Sequence, residues 1–477
     1  METISEGVFL LRSLTGSAIC GSLVKSKVLG KECYGKESYG IMAKNAMAGM
    51  SWQGMGNSLM DKKGILFAAV LCLLLAGCGG VDNNKDVADE TPSTEWQSDD
   101  HTDVPVYSEE DHKAAAEYLR EQYGILTDGN VPKVILDSDM TYFGDDAMCL
   151  SILAAADELG LIDLLGVTIT GGNTFAAVGA NSALNQLEYY GRDDIPVYLG
   201  TDIPLLGFRD LEEQEQIVGS IDRWGVMWHL EDYIAPENYH DLGSYYERKW
   251  GYSDTEVQEQ SAVDFMIGQA EQYPGEVTIL SVGAATNIAA ACMQDENFAK
   301  NTAGIIYMGT IVNGGGSYTP YADFNVFYDA EAFQICLINS FPFQIVIPHD
   351  AASSVMLDKR VFDLMDAKGR TLISQMWLDD QYSLYRRSPN RTAGCTDAAA
   401  AVILLNPKAA LAQEDRYAAI NTDTNSAEYG RTYTWTEQPS GMEAGRATFI
   451  MEMDTEVYWD FVTDLICHMQ DAFAGAD

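Results

Sequence analysis

The pattern of apolar and polar positions predicts strands and helices that alternate along the chain from residue 112 onward. Short apolar runs of strand length are separated by longer segments in which apolar residues recur with helical spacing. The predicted strands are Val134–Leu136, Leu164–Thr170, Pro196–Leu199, Val277–Val282, Gly304–Met308 and Phe343–Ile347. The predicted helices are 112–123, Ala147–Leu159, Ala176–Tyr190, Thr286–Met293 and Ala330–Asn339. This alternation predicts an α/β fold with a mainly parallel open sheet and helices on both faces.

Polar or glycine-rich clusters follow most of these predicted strands. They are Asp137–Asp146, Gly171–Asn173, Gly283 and Gly309–Ser317. In open α/β sheets, ligands bind beyond the carboxyl ends of the strands. We therefore expect these loops to converge on one site.

Residues 201–261 interrupt the alternation. They are rich in aromatic and acidic side chains and contain Trp224, Trp228, His229, Tyr233, Tyr239, His240, Tyr245, Tyr246, Trp250 and Tyr252. We interpret this segment as an aromatic-rich helical insertion that covers the site as a lid. A solvated surface excursion is the alternative.

Composition and charge exclude several classes of protein. The chain has 477 residues, of which 47% are apolar, so it can bury a sizeable core. Its 29 basic and 71 acidic residues give a formal net charge of -42, which argues against nucleic acid as a partner because phosphates are repelled. The cysteines after residue 111 are irregularly spaced, and the chain has no CxxC or HExxH motif, so neither a disulfide framework nor a zinc site is predicted.

The first 111 residues read as targeting and linker sequence. Residues 60–78 have a basic start, an apolar run too short to cross a bilayer comfortably, and an ending, Leu75-Ala76-Gly77-Cys78, that resembles a bacterial lipoprotein signal. The resemblance implies lipidation of Cys78 and attachment to a membrane in the cell envelope, outside the cytoplasm. A short buried helix is the alternative.

The segments on either side of this signal complete the predicted organisation. Residues 1–59 do not fit upstream of an export signal, so they are interpreted as a mis-assigned start or a disordered extension. Residues 79–111 carry eleven acids and the single base Lys85, which predicts a disordered acidic linker. The folded domain is predicted to span 112–477, and whether it forms a homo-oligomer is left open.

Four carboxylates follow the first predicted strand within ten residues: Asp137, Asp139, Asp145 and Asp146. Such a group of oxygen donors is what a hard cation needs, and the permissive coordination of Ca²⁺ suits an irregular loop better than the strict octahedron of Mg²⁺. Asp145 or Asp146 could instead cap the helix that starts at Ala147. Capping requires one aspartate rather than four, so we favour a calcium site.

These residues also carry a resemblance to a known family. "DSDMTYFGDDA" resembles the signature D-x-D-P-G-x-D-D-A of inosine-uridine nucleoside hydrolases, with two extra residues as in an exported bacterial subgroup. Five later segments resemble the family in the expected order: "ITGGNTFAAVGANS", "DIPVYLG", "VTILSVGAATNIAAA", "YMGTIVNGGGSYTPYADFNVFYDAEA" and "GCTDAAAAVILLNP". The resemblance covers about 131–462 and implies a nucleoside hydrolase-like fold.

The resemblance also implies roles for individual residues. The calcium ligands would be Asp139, Asp146, the backbone carbonyl of Val282, and Asp397. Asp139 would also act as the general base on the calcium-bound water. The residues that would bind the ribose are Asp145, Asn173, Asp323 and Asn325, with Asp137 as a supporting carboxylate.

Four departures from the family pattern put the substrate in question. Met140–Phe143 replace smaller residues of the first loop, Asp323 stands where the family has Glu, and Ser317 stands where it has Asn. Thr396 replaces a histidine that helps to protonate the leaving base in part of the family, and a threonine hydroxyl is too weak an acid for that role. The candidates for a replacement acid, in order, are His229, His240, Tyr252 and a tryptophan stacked on the base. His349 is interpreted as a structural histidine outside the site.

The function implied is calcium-dependent hydrolysis of a ribonucleoside to ribose and free base. Cleavage of an N-ribosidic bond passes through an oxocarbenium-like state, which surrounding carboxylates stabilise. Two alternatives remain: a lipoprotein that binds calcium and a ribosylated ligand with little or no turnover, and a hydrolase that acts on another sugar derivative.

Overall fold

The first six strands of the domain follow the predicted order, and five further strands come after them. Three of these five join the central sheet, and the other two pair with each other in a separate sheet. The computed structural model describes residues 104–125, 131–242 and 251–467, so the predictions for 1–59 and 60–78, and those for most of the linker, lie outside the described residues. The strands are β1 (Lys133–Ser138), β2 (Asp163–Ile169), β3 (Val197–Leu199), β4 (Val277–Ser281), β5 (Gly304–Met308), β6 (Gln344–Ile347), β7 (Met356–Asp358), β8 (Thr392–Gly394), β9 (Ala410–Ile420), β10 (Thr432–Trp435) and β11 (Gly445–Met453).

The α-helices alternate with these strands over the first two thirds of the domain. They are α1 (Glu109–Tyr123), α2 (Asp145–Glu158), α3 (Ala176–Tyr189), α4 (Leu211–Val218), α5 (Ala262–Gln272), α6 (Thr286–Gln294), α7 (Phe298–Asn301), α8 (Phe324–Tyr328), α9 (Ala330–Ile338), α10 (His349–Ala352), α11 (Lys359–Lys368), α12 (Leu372–Trp377), α13 (Ser383–Arg387), α14 (Ala398–Leu405) and α15 (Thr455–Cys467). Among the described residues, no helix is long and apolar enough to cross a membrane.

The central sheet has nine strands in the order β10-β9-β11-β6-β5-β4-β1-β2-β3. From β3 at one edge to β11, every pair of neighbouring strands is parallel. The two remaining pairs, β11 with β9 and β9 with β10, are antiparallel. The prediction of a mainly parallel α/β sheet is therefore confirmed. The antiparallel edge was not predicted, because the sequence analysis assigned no strand after residue 347.

The strand order reverses between β1 and β4, and this reversal places helices on both faces. The chain moves outward from β1 to β3 and then returns to β4 on the other side of β1. Since parallel crossovers are right-handed, helices from the two halves cover opposite faces. The contacts agree: α2 packs on α3, α14 and α15, whereas α6 packs on α5 and α9. Such a reversal is where open α/β sheets bind ligands.

The domain begins slightly earlier than the predicted boundary at residue 112. Helix α1 starts at Glu109 because the Ser108 side chain accepts a hydrogen bond from the Asp111 amide, while the Asp111 carboxylate accepts one from the Ser108 amide. This capping box holds the first helical turn. Residues 109–111, which the composition placed in the linker, are therefore helical.

Within its described residues, 201–242 and 251–261, the insertion contains the short helix α4 and three single-turn 3-10 helices at Val226–Trp228, Leu230–Asp232 and Pro236–Asn238. Its described part packs on the domain through a few residues, among them Leu211, Val226 and Met227, which are all buried. An aromatic-rich insertion with short helices is therefore present, although most of its surface faces solvent.

Candidate active site

The carboxyl end of β1 delivers Asp137, Ser138 and Asp139 to the reversal point of the sheet. The strand is paired with β2 on one side and β4 on the other, and Val134, Ile135 and Leu136 are fully buried. Apolar burial therefore sets the register of β1, and this register decides which carboxylates reach the end of the sheet. Asp137 accepts hydrogen bonds from Thr168 (2.6 Å) and Asn287 (2.9 Å), so it stays within the sheet as a supporting group.

Asp139 lies in a slot between two glycines from neighbouring loops. A methyl group at Gly172 would lie 2.0 Å from Asp139 Oδ2, and one at Gly283 would lie 2.7 Å from the Asp139 amide nitrogen. The carboxylate accepts a hydrogen bond from the Asn173 amide at 2.8 Å. The Asn173 side chain also donates to Asp139 (3.3 Å) and Asp146 (3.1 Å), so one residue orients two carboxylates.

Three further carboxylates meet where the N-termini of α2 and α14 approach each other. Asp145, Asp146 and Asp397 each contribute one carboxylate oxygen to a group in which the three oxygens lie within 4.8 Å of one another. Ser138 donates to Asp146 at 2.6 Å, and the Thr396 hydroxyl donates to Asp145, also at 2.6 Å. Of these three, Asp145 was predicted to contact the ribose, whereas the structure places it beside the predicted ligands Asp146 and Asp397.

The carboxylates of this cluster are held at close range with little to balance their charge. At an effective dielectric constant of 20, two unit charges 4.8 Å apart repel by about 3 kcal/mol. In the described part of the chain, no lysine, arginine or histidine forms an ion pair with Asp139, Asp145, Asp146 or Asp397. A cation would relieve this repulsion.

Burial and mutual repulsion raise the pKa of these groups. Burial, and then the charge of Asp145, raises the pKa of Asp146 to about 7. Burial, followed by the charge of Asp146, raises the pKa of Asp139 well above its usual range, and burial with the charge of Asp145 does the same to Asp397. Burial and repulsion thus disfavour the charged form of these carboxylates. A cation bound among them would offset both effects, so the site favours positive charge.

The opposite wall is built from the loop after β5 and the start of α8. The Asn325 side chain donates to the carbonyl of Val282 (2.8 Å) and to that of Met308 (3.2 Å), which joins the ends of β4 and β5. Asp323 caps α8 by accepting from the Val326 amide at 3.1 Å through Oδ1, while its buried Oδ2 accepts no hydrogen bond from the residues that the structure describes. Burial raises the pKa of Asp323 to about 6, although hydrogen bonding and the charge of His349 oppose the rise.

A cavity of roughly 300 Å³ opens between these walls. It is lined by Asp145, Asn173, Trp224, Met308, Ser317, Asp323, Phe324, Asn325, His349, Gly394, Thr396 and Asp397. The rings of Trp224 and Phe324 lie 4.1 Å apart between centroids, and Trp224 is 40% exposed. The cavity therefore combines a polar floor with an aromatic edge, as small-molecule sites commonly do.

The bulky residues of the first loop face the interior rather than the cavity. Met140 is fully buried, and Tyr142 accepts hydrogen bonds from Asn181 (3.1 Å) and Asn185 (2.7 Å) in the core. Phe143 adopts a positive φ of 51° and packs edge-on against Trp377. The loop thus departs from the family pattern without filling the site, contrary to the expectation that it affects the substrate.

The structure changes the assignment of the histidines. His229 and His240 are exposed. The Tyr252 hydroxyl accepts a hydrogen bond from the Leu242 amide at 3.0 Å, and Tyr252 does not line the cavity. His349, which was interpreted as structural, lines the cavity together with Asp323. That interpretation was wrong, and the signal that could have corrected it is the position of His349 directly after a predicted strand.

The residues present fit a calcium ion. Asp139, Asp146, Asp397 and the Val282 carbonyl supply only oxygen, the donor that Ca²⁺ prefers. The glycine slot holds Asp139 in place, and no basic side chain within residues 104–125, 131–242 and 251–467 pairs with the carboxylate cluster.

Comparisons with known proteins agree with this geometry. A family model described as inosine-uridine preferring nucleoside hydrolase matches residues 134–460. Uridine nucleosidase 1 of Arabidopsis thaliana is 28% identical over 272 residues, which cover 55% of this chain and 73% of that protein. Pyrimidine-specific ribonucleoside hydrolase RihB of Escherichia coli is 26% identical over 343 residues, which cover 70% of this chain and 96% of that protein. The match to probable uridine nucleosidase 2 of Arabidopsis thaliana, at 29% identity, spans 43% of this chain and 56% of that relative's length.

Solved structures show the same fold. The plant nucleoside hydrolase PpNRh1 aligns with a TM-score of 0.55 at 22% identity and covers 71% of this chain and 99% of its own. A purine-preferring ribonucleoside hydrolase from Gardnerella vaginalis aligns with a TM-score of 0.53 at 20% identity and covers 70% of this chain and 98% of its own. The family match, which covers more than half of the chain, confirms the resemblance. The chain therefore belongs to the inosine-uridine preferring nucleoside hydrolase family, a family of N-glycosyl hydrolases.

Proposed function

We propose that this protein hydrolyses the N-glycosidic bond of a ribonucleoside, with Ca²⁺ bound among Asp139, Asp146, Asp397 and the Val282 carbonyl. The observation that carries the proposal is the carboxylate cluster beside a cavity with an aromatic edge, since no basic side chain among the described residues pairs with these carboxylates. Family membership supports the reaction class. The choice of calcium rests on the all-oxygen donor set.

The reaction needs a water that attacks C1′ of the sugar and a carboxylate that accepts its proton. When bound, calcium supplies the positive charge that orients water and sugar hydroxyls and lowers the pKa of the water. Asp139 is the proton acceptor that we propose, because the two glycines fix its position and Asn173, which lines the cavity, holds its carboxylate beside that of Asp146. As the bond breaks, the nearby carboxylates favour the positive charge that develops on the sugar.

The sugar would lie between the carboxylate cluster and the loop after β5. The Oδ2 atom of Asp323 is buried and has no hydrogen-bond partner within the described part of the chain, so it can accept a hydrogen bond from a sugar hydroxyl. Asn325, Ser317 and Asn173 lie on the same cavity surface and offer further donors and acceptors. A ribose with several free hydroxyls matches this polar surface.

The base would stack against Trp224. Because stacking of a base on an aromatic ring contributes about 1–3 kcal/mol, we expect Trp224→Ala to lower kcat/KM for nucleosides by about 5- to 100-fold. Trp224→Phe should retain most of the activity, since a ring remains beside Phe324. Steady-state kinetics on both variants check this, and equal losses in the two would contradict stacking.

The proposal is tested by incubating residues 79–477 with a panel of ribonucleosides and 2′-deoxyribonucleosides, with Ca²⁺ or with a chelator. We expect free ribose and base from at least one ribonucleoside, and loss of this activity when the chelator is present. Tight calcium binding without release of any base would instead favour the alternative, a ligand-binding protein with little turnover. Release from another sugar derivative alone would assign a different substrate.

We also propose that the protein is exported and anchored through a lipid on Cys78. The support is the sequence from Met60 to Cys78, which lies outside the described residues. Expression in bacteria with an alkyne fatty acid is expected to label the full chain, whereas Cys78→Ser should remove the label. Labelling of the Cys78→Ser variant at the level of the unmodified chain would refute the anchor.

A further inference from the structure

One titratable side chain that lines the cavity has no role in the reaction proposed above. His349 begins α10 directly after β6 and lines the cavity with Asp323 and Asn325. It is half-buried rather than exposed. It is also the one histidine, lysine, arginine or tyrosine among the residues that line this cavity in the described part of the chain.

The backbone of His349 is tied firmly to the loop that forms the sugar-side wall. Its amide donates to the Thr310 carbonyl at 3.0 Å. The next residue, Asp350, accepts from the amides of Val312 (3.0 Å) and Asn313 (2.8 Å). Strands β5 and β6 are neighbours in the sheet, so these bonds extend the β5–β6 pairing into the loops. The imidazole is therefore presented from a rigid support.

The reaction requires an acid on the side of the departing base. Fission of the bond from C1′ leaves its electron pair on the base nitrogen, and a poor leaving group must take up a proton as it departs. The position at which part of the family carries a histidine is Thr396 here. Its hydroxyl already donates to Asp145 at 2.6 Å, so its proton is engaged with a carboxylate and is not directed to a base.

We propose that His349 is the general acid that protonates the departing base in this protein. This inference rests on the proposed nucleoside hydrolysis. The imidazolium form of His349 gives a proton to a ring nitrogen or carbonyl oxygen of the base while the bond from C1′ breaks, and the side chain is left as neutral imidazole. Water adds to C1′ and its proton passes to Asp139, after which solvent restores both side chains. The sum is nucleoside plus water to ribose plus base, with no other reactant.

The test compares two substrates that differ only in their need for an acid. Inosine releases hypoxanthine and uridine releases uracil, which are poor leaving groups unless a proton is supplied. By contrast, 4-nitrophenyl β-D-ribofuranoside releases a stable phenolate that departs without a proton. His349→Gln is expected to lower kcat for the nucleoside by about 100-fold or more, because general acids typically contribute that much. Hydrolysis of the nitrophenyl riboside by the same variant should stay within about 3-fold of the unmodified protein, which also shows that the site is folded.

The control is His229→Gln, which removes an exposed histidine outside the cavity and should change neither rate. Equal losses on both substrates with His349→Gln would overturn the proposal, since they would assign His349 to binding or structure. An unchanged rate of nucleoside hydrolysis in His349→Gln would also overturn the proposal. The same holds if the unmodified protein cleaves the nitrophenyl riboside but no nucleoside. Failure of the unmodified protein on both substrates would instead overturn the proposed function itself.

Discussion

Replacing Asp139 with asparagine is expected to lower kcat for nucleoside hydrolysis by about 10³-fold or more. The loss of a general base typically costs about 10²- to 10⁴-fold, and the same change removes a negatively charged calcium ligand. The asparagine oxygen can still accept the hydrogen bond from the Asn173 amide, so the loop is retained. Base release and calcium titration calorimetry measure the two effects.

The stability of this variant separates chemistry from folding. Asp139 is buried near the charge of Asp146, and its pKa is raised for that reason. A neutral side chain removes this repulsion, so the calcium-free variant should melt no lower than the unmodified protein. Asp163→Asn is the matched control, because Asp163 is an exposed carboxylate at the opposite end of the sheet. Activity within tenfold of normal in Asp139→Asn would show that Asp139 is not the base.

Replacing Gly172 with alanine is expected to lower kcat by about 10²-fold, although every side chain that binds the substrate remains. The added methyl would lie 2.0 Å from Asp139 Oδ2, well inside contact distance, so the carboxylate must move. A displacement of about 1 Å at a reacting group can cost about 10²-fold. The φ angle of Gly172 lies outside the left-handed region, so the effect is steric and not a strain of the backbone.

Gly315→Ala is the matched control for this prediction. A methyl at Gly315 meets nothing within 4 Å, and this glycine lies in the exposed loop after β5. The control should keep its activity and calcium affinity. Full activity in Gly172→Ala, with a normal melting temperature, would mean that the position of Asp139 is not critical.

The order of strands and helices followed directly from local patterns. The apolar run at Val134–Leu136 and the alternation up to Ile347 predicted β1 to β6 and the helices α2, α3, α6 and α9 to within a few residues, whereas α4, α5, α7 and α8 were not predicted. The antiparallel strands β9 to β11 were not predicted. In β9, exposed and half-buried residues extend from Ala410 to Tyr417, so its apolar pattern is weak. Its place in the sheet comes from pairing with β11 rather than from a local signal.

The site residues also fall into those that a local pattern predicts and those that it does not. Asp139, Asp146 and Asn173 follow predicted strands or start a predicted helix, so the sequence analysis could identify them, and Asp397 stands in a recognisable motif. Trp224 and His349 lie 125 residues apart in the chain, on an insertion and after β6, and no spacing connects them. Both line the cavity, because the insertion packs Trp224 against Phe324 and the sheet order places the loop after β6 beside the loop after β5.

The sequence by itself determined the fold class, the family and the carboxylates at the end of β1, because each depends on residues that are close in the chain. Only the tertiary structure decided that the bulky first loop turns into the core and that Thr396 is engaged with Asp145. It alone also decided that His349 enters the cavity. These outcomes depend on contacts between distant segments, such as those of Tyr142 with Asn185 and of Thr396 with Asp145. Packing creates such contacts, and no local pattern records them.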